Sequence, residues 1–283
     1  MIGRLQLGTR RRYGGPSSRS CLALDLGSAR TRAWMPNLGL VLDAPTITPT
    51  EVGYPVHRGS IVDVAGATRM LDRLVNSRST PGYRPALVVM TIPVLSAEAD
   101  RSAALTAVEI LQPRTVLTIE SVKAAALGAG ADFVRPLLVV DLGADLTEVA
   151  VLSNGSLVQA RRAPLGISDF GSSITVDDLV ASIGEMVTDL LREDCGPQVV
   201  DALDRGPLLV GGGAMRPAIT YRIAKRLSTP IQTAPAPQTV AVRGACGAVL
   251  AADRHPSTAL HPDRRLDACD VVSTDLSRRH QGP

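Results

Sequence analysis

The stretch Leu138–Thr147, LVVDLGADLT, nearly repeats an earlier segment of the chain, Leu22–Thr31, LALDLGSART. Aligned without gaps, the two segments share Leu, Asp, Leu, Gly and Thr at five positions. Each begins as an apolar run of buried-strand length and then reaches Asp-x-Gly. A repeated strand and turn indicates two related lobes, each of which presents one turn to a shared ligand.

The two Asp-x-Gly turns predict an anion site that also holds a metal ion. Gly27 and Gly143 allow tight turns whose backbone N–H groups approach an anion. Asp25 and Asp141 face a cation bound to that anion. A later segment, LLVGGGAMR (Leu208–Arg216), is a glycine-rich junction of a strand and a helix, of the kind that packs against nucleotides.

Composition favours a folded protein with an aliphatic core. The 283 residues are 45% hydrophobic but only 2% aromatic, so Leu, Val, Ile and Ala fill the interior. The four cysteines are far apart and form no CxxC pair, which favours reduced thiols. No apolar run approaches the length of a membrane span. We therefore expect a cytoplasmic protein.

Residues 1–20 form a basic leader that we expect to be flexible. This segment contains five arginines and no acidic residue, although the net charge of the chain is only +3. Such a run is either a solvated tail or a weak contact with an anionic membrane surface. We expect no specific binding to nucleic acid.

The first half of the chain alternates strands and helices. Apolar runs of strand length lie at 21–25, 86–92 and 115–119, and helical patterns lie at 63–75, 96–111 and 121–130. Ser96 is the expected N-cap of the second helix. Strands and helices that alternate at this interval indicate a mostly parallel α/β sheet with two covered faces.

The second half predicts a hairpin and an amphipathic helix. Two β-rich runs flank Asn154-Gly155, the strongest short hairpin signal. Thr175 is the expected cap of the helix, and Asp178 completes a weak capping box. The chain becomes polar from about residue 252. We therefore predict a leader (1–20), a first lobe (21–130), a second lobe (131–251) and a disordered tail (252–283).

In order and spacing, the motifs resemble the actin-like ATPase superfamily, and most closely the bacterial rod-shape family MreB/Mbl. The resemblance extends from about Cys21 to Ala251. DLGSART is similar to that family's first phosphate loop, VVDLGADLTEVAVLSNG to its second phosphate loop and hairpin, and LLVGGGAMRPAI to its adenosine motif. The resemblance implies an α/β, two-lobed actin-like ATPase fold that closes on ATP and Mg²⁺.

The resemblance assigns nucleotide contacts to three groups of residues. They are Asp25, Gly27, Ser28, Ala29, Arg30 and Thr31 in the first loop, Asp141, Gly143, Ala144, Asp145 and Thr147 in the second, and Gly211, Gly212, Gly213 and Ala214 in the adenosine motif. It assigns Mg²⁺ to Asp25 and Asp141.

The chain departs from the family at the residue that positions the attacking water. TIESVKAAALGAG is similar to the family's connecting helix, which begins with a carboxylate at the position of Ser121. Glu120 stands one residue earlier, and one residue on a helix is about 100° of rotation. Ser121 and Glu120 are therefore the candidate catalytic positions, and we expect weak or absent ATP hydrolysis.

The second phosphate loop also departs from the family. It has Ala144 and Asp145 after Gly143, where the family has consecutive glycines. A carboxylate about 4 Å from a phosphate oxygen costs on the order of 4 kcal/mol at an effective dielectric of about 20. This repulsion predicts ATP binding that is weaker by roughly a thousandfold.

Two outer subdomains of the family fold are expected to be trimmed. Residues 170–205 have room for little more than one helix, and the segment after the first loop is broken by prolines. Because those subdomains form part of the family's filament contacts, we expect no ordinary polymerisation. The expected partners are other copies of the chain and morphogenesis or envelope proteins.

Three functions stay open from the sequence. The first is an MreB-like actin homologue in cell-shape or cytoskeletal organisation, with a weak or vestigial nucleotide site. The second is an active ATPase that uses Glu120. The third is a chaperone-type nucleotide switch of the same superfamily, which is disfavoured because no substrate-binding domain follows Ala251.

Overall fold

The computed structural model describes residues 21–48, 53–78, 84–171, 174–253 and 266–267. The predicted leader and most of the predicted tail lie outside these residues.

The strands are β1 (Cys21–Leu26), β2 (Arg30–Met35), β3 (Gly39–Pro45), β4 (Val56–His57), β5 (Ser60–Ile61), β6 (Leu87–Ile92), β7 (Thr115–Glu120), β8 (Leu137–Leu142), β9 (Thr147–Ser153), β10 (Ser156–Ala163), β11 (Leu208–Val210), β12 (Gln232–Thr233) and β13 (Leu266–Asp267). The helices are α1 (Val64–Arg78), α2 (Glu98–Val108), α3 (Ser121–Ala129), α4 (Val176–Leu191), α5 (Gly196–Arg205), α6 (Pro217–Leu227) and α7 (Val240–Asp253).

Two sheets of the same topology form the two lobes. The first has the strand order β13-β7-β6-β1-β2-β3, and the second has the order β10-β9-β8-β11-β12. The repeated strands, β1 and β8, each pair antiparallel with the next strand of a meander and parallel with a strand on the other side. The predicted pair of similar lobes, with the repeated strands at their centres, is confirmed.

Each sheet buries both faces under aliphatic side chains. In the first sheet, α1 and α2 cover one face and α7 covers the other. In the second, α4, α5 and α6 cover one face and α3 covers the other. Side chains alternate along β8, so Leu138 and Val140 pack towards α4, while Leu137 and Val139 pack towards α3. None of the helices within the described ranges is long and apolar enough to cross a membrane.

Helices α3 and α7 pack against each other between the two sheets. Ala124 of α3 belongs to the core of the first sheet, whereas Val122 and Ala125 belong to the core of the second. Helix α7 follows the second sheet in the chain but packs on β1 and β6 of the first. By sequence α7 belongs to the predicted second lobe (131–251), but it packs on the sheet of the predicted first lobe (21–130).

The hairpin and the start of α4 form as their sequence signals predict. Asn154 and Gly155 link β9 to β10 with φ angles of 51° and 77°. The Thr175 hydroxyl accepts a hydrogen bond from Asp178 N at 3.2 Å, and the Asp178 carboxylate accepts one from Thr175 N at 2.8 Å. Both local predictions are confirmed.

Two other local predictions are wrong. Ala97 is the N-cap of α2, because Ser96 Oγ donates instead to the Pro93 carbonyl oxygen at 2.8 Å. The segment 170–205 holds two helices rather than one. The second, α5, is short, and it is held by tertiary packing of Val199 and Ala202 in the core of the second lobe.

We expect Gly244→Ala to destabilise the protein by about 1–3 kcal/mol, since overpacking of a close contact has such costs. A Cβ atom on Gly244 of α7 would lie 1.7 Å from the Ala124 carbonyl oxygen of α3. Gly247 is the matched control on the same helix, because no atom lies within 4 Å of its Cβ position. Gly247→Ala should raise stability by up to about 1 kcal/mol through helix propensity. Urea unfolding measures both effects, and equal effects would contradict the close helix contact.

Candidate functional site

The two repeated turns have the same backbone geometry and line one cavity. Gly27 N donates to the Arg30 carbonyl oxygen at 3.1 Å, and Gly143 N donates to that of Leu146 at 2.9 Å. A Cβ atom on Gly143 would lie 2.7 Å from the same Leu146 oxygen, so glycine is required there. Both turns border a cavity of about 250 Å³ between the lobes. The prediction that they face one cleft is confirmed.

Most of the predicted nucleotide residues lie on the wall of this cleft. They are Asp25, Gly27, Ser28, Ala29, Arg30, Asp141, Gly143, Ala144, Asp145, Gly211 and Gly212. The others lie behind the wall, and these are Thr31, Thr147, Gly213, Ala214, Glu120 and Ser121. Their assigned roles, like those of the lining residues, stay predictions.

The two repeated threonines support the turns from behind. Thr31 Oγ1 lies 2.9 Å from Thr46 Oγ1, and the Thr46 hydroxyl donates to the Gly27 carbonyl oxygen at 2.7 Å. Thr147 Oγ1 donates to the Leu165 carbonyl oxygen, also at 2.7 Å. The shared threonine of the repeat therefore has a structural role in both lobes.

A row of charges crosses the first sheet at the floor of the cleft. In the strand register, Arg32 of β2 lies between Asp25 of β1 and Asp43 of β3. Arg32 Nη1 is 3.8 Å from Asp25 Oδ2, and its Nε is 3.3 Å from Asp43 Oδ1. Burial raises the pKa of Asp25 above its ordinary value, while a hydrogen bond from Thr91 and the charge of Arg32 oppose this rise.

The second sheet carries the equivalent row, with an acid at its centre. Glu148 of β9 lies between Asp141 of β8 and Arg162 of β10. Burial raises the pKa of Glu148 to about 8, and the neighbouring Asp141 adds to the rise. Burial and then the charge of Asp25 raise the pKa of Asp141 to about 7. Glu148 is therefore mainly protonated at pH 7.

Glu148 occupies the place where the water-positioning acid was expected. Its Oε2 accepts a hydrogen bond from Ser121 Oγ at 2.7 Å, and its Oε1 accepts one from Val94 N at 2.5 Å. Ser121 begins α3 and reaches the cleft only through this contact. Glu120, the last residue of β7, is buried and does not line the cavity.

The sequence analysis missed Arg32 and Glu148, together with the cleft-lining Thr91 and Gln238. The repeat contained the signal for the first two, because each directly follows the shared threonine and lies seven residues after the shared aspartate. No local signal pointed to Thr91 or Gln238, since neither belongs to the repeat.

Asp145 and its neighbours form a connection across the cleft, which we call the cross-cleft latch (His57, Arg58, Asp145 and Asp169). Arg58 lies at the turn of the β4–β5 hairpin and donates to both carboxylate oxygens of Asp169 at 2.7 Å. Its Nη1 also donates to the Asp145 carbonyl oxygen at 2.9 Å. His57 Nδ1 lies 3.3 Å from Asp145 Oδ2. The Asp145 carboxylate thus lies on the cleft wall but has a cationic partner when His57 is protonated.

The glycine-rich end of the cleft has a polar atom suited to a nucleotide. Gly211 and Gly212 line this end together with Gln238, whose Oε1 is buried and has no hydrogen-bond partner among the described residues. An unpartnered buried acceptor is costly unless a donor reaches it. An N–H or O–H group of a base or a ribose is such a donor.

The opposite end fits a magnesium ion that is bound together with phosphate. Asp25 and Asp141 are the two carboxylates on the floor, and Mg²⁺ is usually held by one or two carboxylates together with substrate phosphates. No group of three potential metal-binding side chains occurs within the described ranges. Magnesium would therefore require oxygen atoms from the ligand.

We expect the Arg58–Asp169 ion pair to contribute a coupling free energy of about 1.5–3 kcal/mol, because hydrogen bonds to charged groups have this strength. Hydrogen bonds from Arg58 hold the pKa of Asp169 below its ordinary value. A double-mutant cycle of Arg58→Met and Asp169→Asn, followed by urea unfolding, measures the coupling. The exposed pair Arg222–Asp177 is the control, with an expected coupling below about 1 kcal/mol. Similar couplings for the two pairs would disprove the latch.

Stability should respond to pH through Glu148. The folded protein keeps this proton up to about pH 8, whereas the unfolded chain loses it near 4.5. Folding takes up a proton between these values, so the raised pKa lowers stability by about 1.4 kcal/mol for each pH unit of rise. Glu148→Gln removes this dependence, and its stability relative to the wild type should increase from pH 5 to pH 8. Urea midpoints across this range measure the difference, and a difference that does not vary with pH would refute the shift.

Comparison with known proteins agrees with the geometry of this cleft. A sequence profile described as "MreB/Mbl protein" matches residues 48–176. Cell shape-determining protein MreB of Escherichia coli (strain K12) is 22% identical, over 83% of this chain and 94% of that protein. Cell shape-determining protein Mbl of Bacillus cereus is 23% identical, over 84% and 98%.

Solved structures share the fold. The crystal structure of MreB 5 of Spiroplasma citri bound to AMPPNP has a TM-score of 0.70 at 19% identity, over 81% of this chain and 95% of that chain. The ethanolamine utilization protein EutJ from Carboxydothermus hydrogenoformans has a TM-score of 0.57 at 18% identity, over 80% and 88%. The fold is the two-lobed actin-like fold in a shortened chain. The chain is thus similar in sequence to proteins of the MreB/Mbl family and shares the fold of a solved MreB structure.

Proposed function

We propose that this MreB-like actin homologue binds ATP in the cleft, hydrolyses it at or near the background rate, and acts in cell-shape or cytoskeletal organisation. The cell-shape role rests on the relatives, which are called cell shape-determining proteins. Nucleotide binding rests on the paired glycine turns and on the AMPPNP bound by the Spiroplasma citri protein.

The hydrogen bond between Ser121 and Glu148 is the observation that carries the proposal of weak hydrolysis. Ser121 supplies no carboxylate, and both oxygens of Glu148 are engaged by Ser121 and Val94. Burial raises the pKa of Glu148 to about 8, so the ionised form that could accept a proton from water is the minor form at pH 7. An attacking water would therefore lack an ionised partner at this place.

Weak binding of ATP is supported by the second turn and by the size of the cleft. The Asp145 carboxylate lines the cavity beside the phosphate-binding turn and repels phosphate unless His57 is protonated. The cavity of about 250 Å³ is smaller than the roughly 300–1,000 Å³ of small-molecule sites. The latch holds the lobes together at this size, so a nucleotide would have to spread them.

Different residues of the cleft would bind different parts of the nucleotide. The N–H groups of Ser28 and Ala29 in the first turn, and of Ala144 and Asp145 in the second, would bind the phosphates, because those of Gly27 and Gly143 already donate within the turns. Gln238 would accept a hydrogen bond from the base or the ribose. Asp25 and Asp141 would hold Mg²⁺, which offsets phosphate charge when it is bound. The position of these residues on the cleft wall supports each of these proposed roles.

The proposed setting of the protein is the cytoplasm, with weak contact of the basic leader at the membrane surface. The proposed partners are further copies of the chain and morphogenesis or envelope proteins. The short outer segments support small assemblies rather than the ordinary filaments of the family.

We expect wild-type protein to release phosphate from ATP and Mg²⁺ at or near the background rate at pH 7. The double variant Ser121→Glu/Glu148→Gln restores an acid and removes its like-charged neighbour, so turnover should rise by about a hundredfold, the usual worth of such a group. Ser121→Glu alone should lose stability without gaining turnover, because two carboxyl groups would then meet in a buried place.

Glu120→Ala tests the alternative that the chain is an active ATPase. Glu120 does not line the cavity, so its replacement should leave the phosphate-release rate unchanged. Rapid wild-type hydrolysis that Glu120→Ala abolishes would overturn the proposal and establish the active ATPase.

A further inference from the structure

We propose that Arg32 supplies part of the positive charge that a divalent cation normally provides to nucleotide phosphates, so that nucleotide binding in this cleft depends only weakly on Mg²⁺. This inference rests on the proposed function, because it concerns the phosphates of the same nucleotide. It adds a phosphate-binding residue that lies outside the glycine turns.

Arg32 is placed at the phosphate end of the cleft. It lies two residues after Arg30, just beyond the first glycine turn, and it lines the cavity together with Asp25 and Asp141. Only 13% of its side chain is exposed, so its charge acts in a partly desolvated space. Its charge reaches both carboxylates, since it lowers the pKa of Asp25 and that of Asp141 against the effect of burial.

The guanidinium of Arg32 has unused hydrogen-bond donors. Among the described residues it donates no hydrogen bond, and its Nε is buried without a partner. Its ion-pair distances of 3.3 and 3.8 Å exceed the 2.7–2.9 Å of charge-assisted hydrogen bonds. Arg58 differs, because it donates to both oxygens of Asp169 at 2.7 Å. The Nη groups of Arg32, which donate no hydrogen bond to the described residues, are therefore the donors available to phosphate oxygens.

Arg30 does not have the same freedom, although it also lines the cleft. Its Nε donates to the Asp43 carboxylate, and its Nη2 donates to the Asp43 carbonyl oxygen at 3.0 Å. Its side chain is 41% exposed, so water screens its charge. Of the two arginines, Arg32 is the one whose charge and donors both face a bound phosphate.

The same charge makes the site less attractive to Mg²⁺. A guanidinium stays positively charged throughout the physiological pH range. At 3.8 Å from Asp25 it neutralises part of the charge that would hold the metal ion, and it repels a second cation at the same carboxylate. Arg32 therefore strengthens phosphate binding without a metal and weakens the contribution that a metal can add.

The test is the affinity of the full chain for AMPPNP, measured by calorimetry with excess Mg²⁺ and again with EDTA. Wild-type affinity should differ by less than about threefold between the two conditions, a small free-energy change. The variant Arg32→Met removes the guanidinium and leaves Arg30 bonded to Asp43. In EDTA the affinity of this variant for AMPPNP should be at least about tenfold lower than that of the wild type. Adding Mg²⁺ should raise the affinity of the variant by at least about tenfold.

Three further variants serve as controls. Asp43→Asn alone should keep the weak metal dependence, because Arg32 is still present. Arg32→Lys should also keep it, because the positive charge is conserved. Arg161→Met removes an arginine that pairs with Glu193 away from the cleft, and it should leave both affinities unchanged.

The outcomes separate this inference from the proposed function. Wild-type binding that requires Mg²⁺ would overturn the role of Arg32 but leave ATP binding in place, and this comparison needs no variant to fold. Binding in EDTA that persists unchanged after Arg32→Met would likewise overturn it. No binding under either condition would overturn the proposed function, and the inference with it.

Discussion

The contact of helices α3 and α7 at Gly128 and Gly244 is the constraint on which the cleft depends. A Cβ atom on Gly128 would lie 2.0 Å from the Val240 carbonyl oxygen, so the helix backbones touch directly. One helix packs under each sheet, and this pair sets the distance between the lobes. The ends of β1 and β8, and the two turns that follow them, face each other because this spacing is small.

Burial of charge is the main cost of bringing the turns together. Asp25, Asp141 and Glu148 all have raised pKa values, and for each of them a neighbouring like charge adds to the effect of burial. The structure offsets this cost in part with Arg32 and Thr91, which act on Asp25, and with Ser121, which donates to Glu148. The chemistry that we propose follows from these compensations. Burial and the charge of Asp141 raise the pKa of Glu148 although Ser121 and Val94 donate to it, and the cationic Arg32 lies beside Asp25.

The latch shows how an unfavourable residue in a loop can be accommodated. Asp145 lines the cleft beside the second glycine turn, but its carboxylate faces His57 and its carbonyl oxygen accepts a hydrogen bond from Arg58. The same Arg58 binds Asp169, so one hairpin of the first lobe contacts two segments of the second. The departure from consecutive glycines is therefore connected with the closure of the lobes as well as with ligand binding.

The sequence by itself determined the two lobes, their central strands and the glycine turns, because these depend on local patterns and on an ungapped repeat. It also identified Ser121 as the position where the resemblance predicts a carboxylate and the chain has none. The acid that lies beside Ser121 depends on tertiary structure, since Glu148 meets Ser121 through the packing of α3 on the second sheet. The placement of Arg32 between two aspartates likewise depends on strand register. The cross-cleft latch depends on contacts of Arg58 with Asp145 and Asp169, which lie 87 and 111 positions further along the chain. Such contacts leave no periodic trace in a single sequence, because the partners come together only when the two sheets pack.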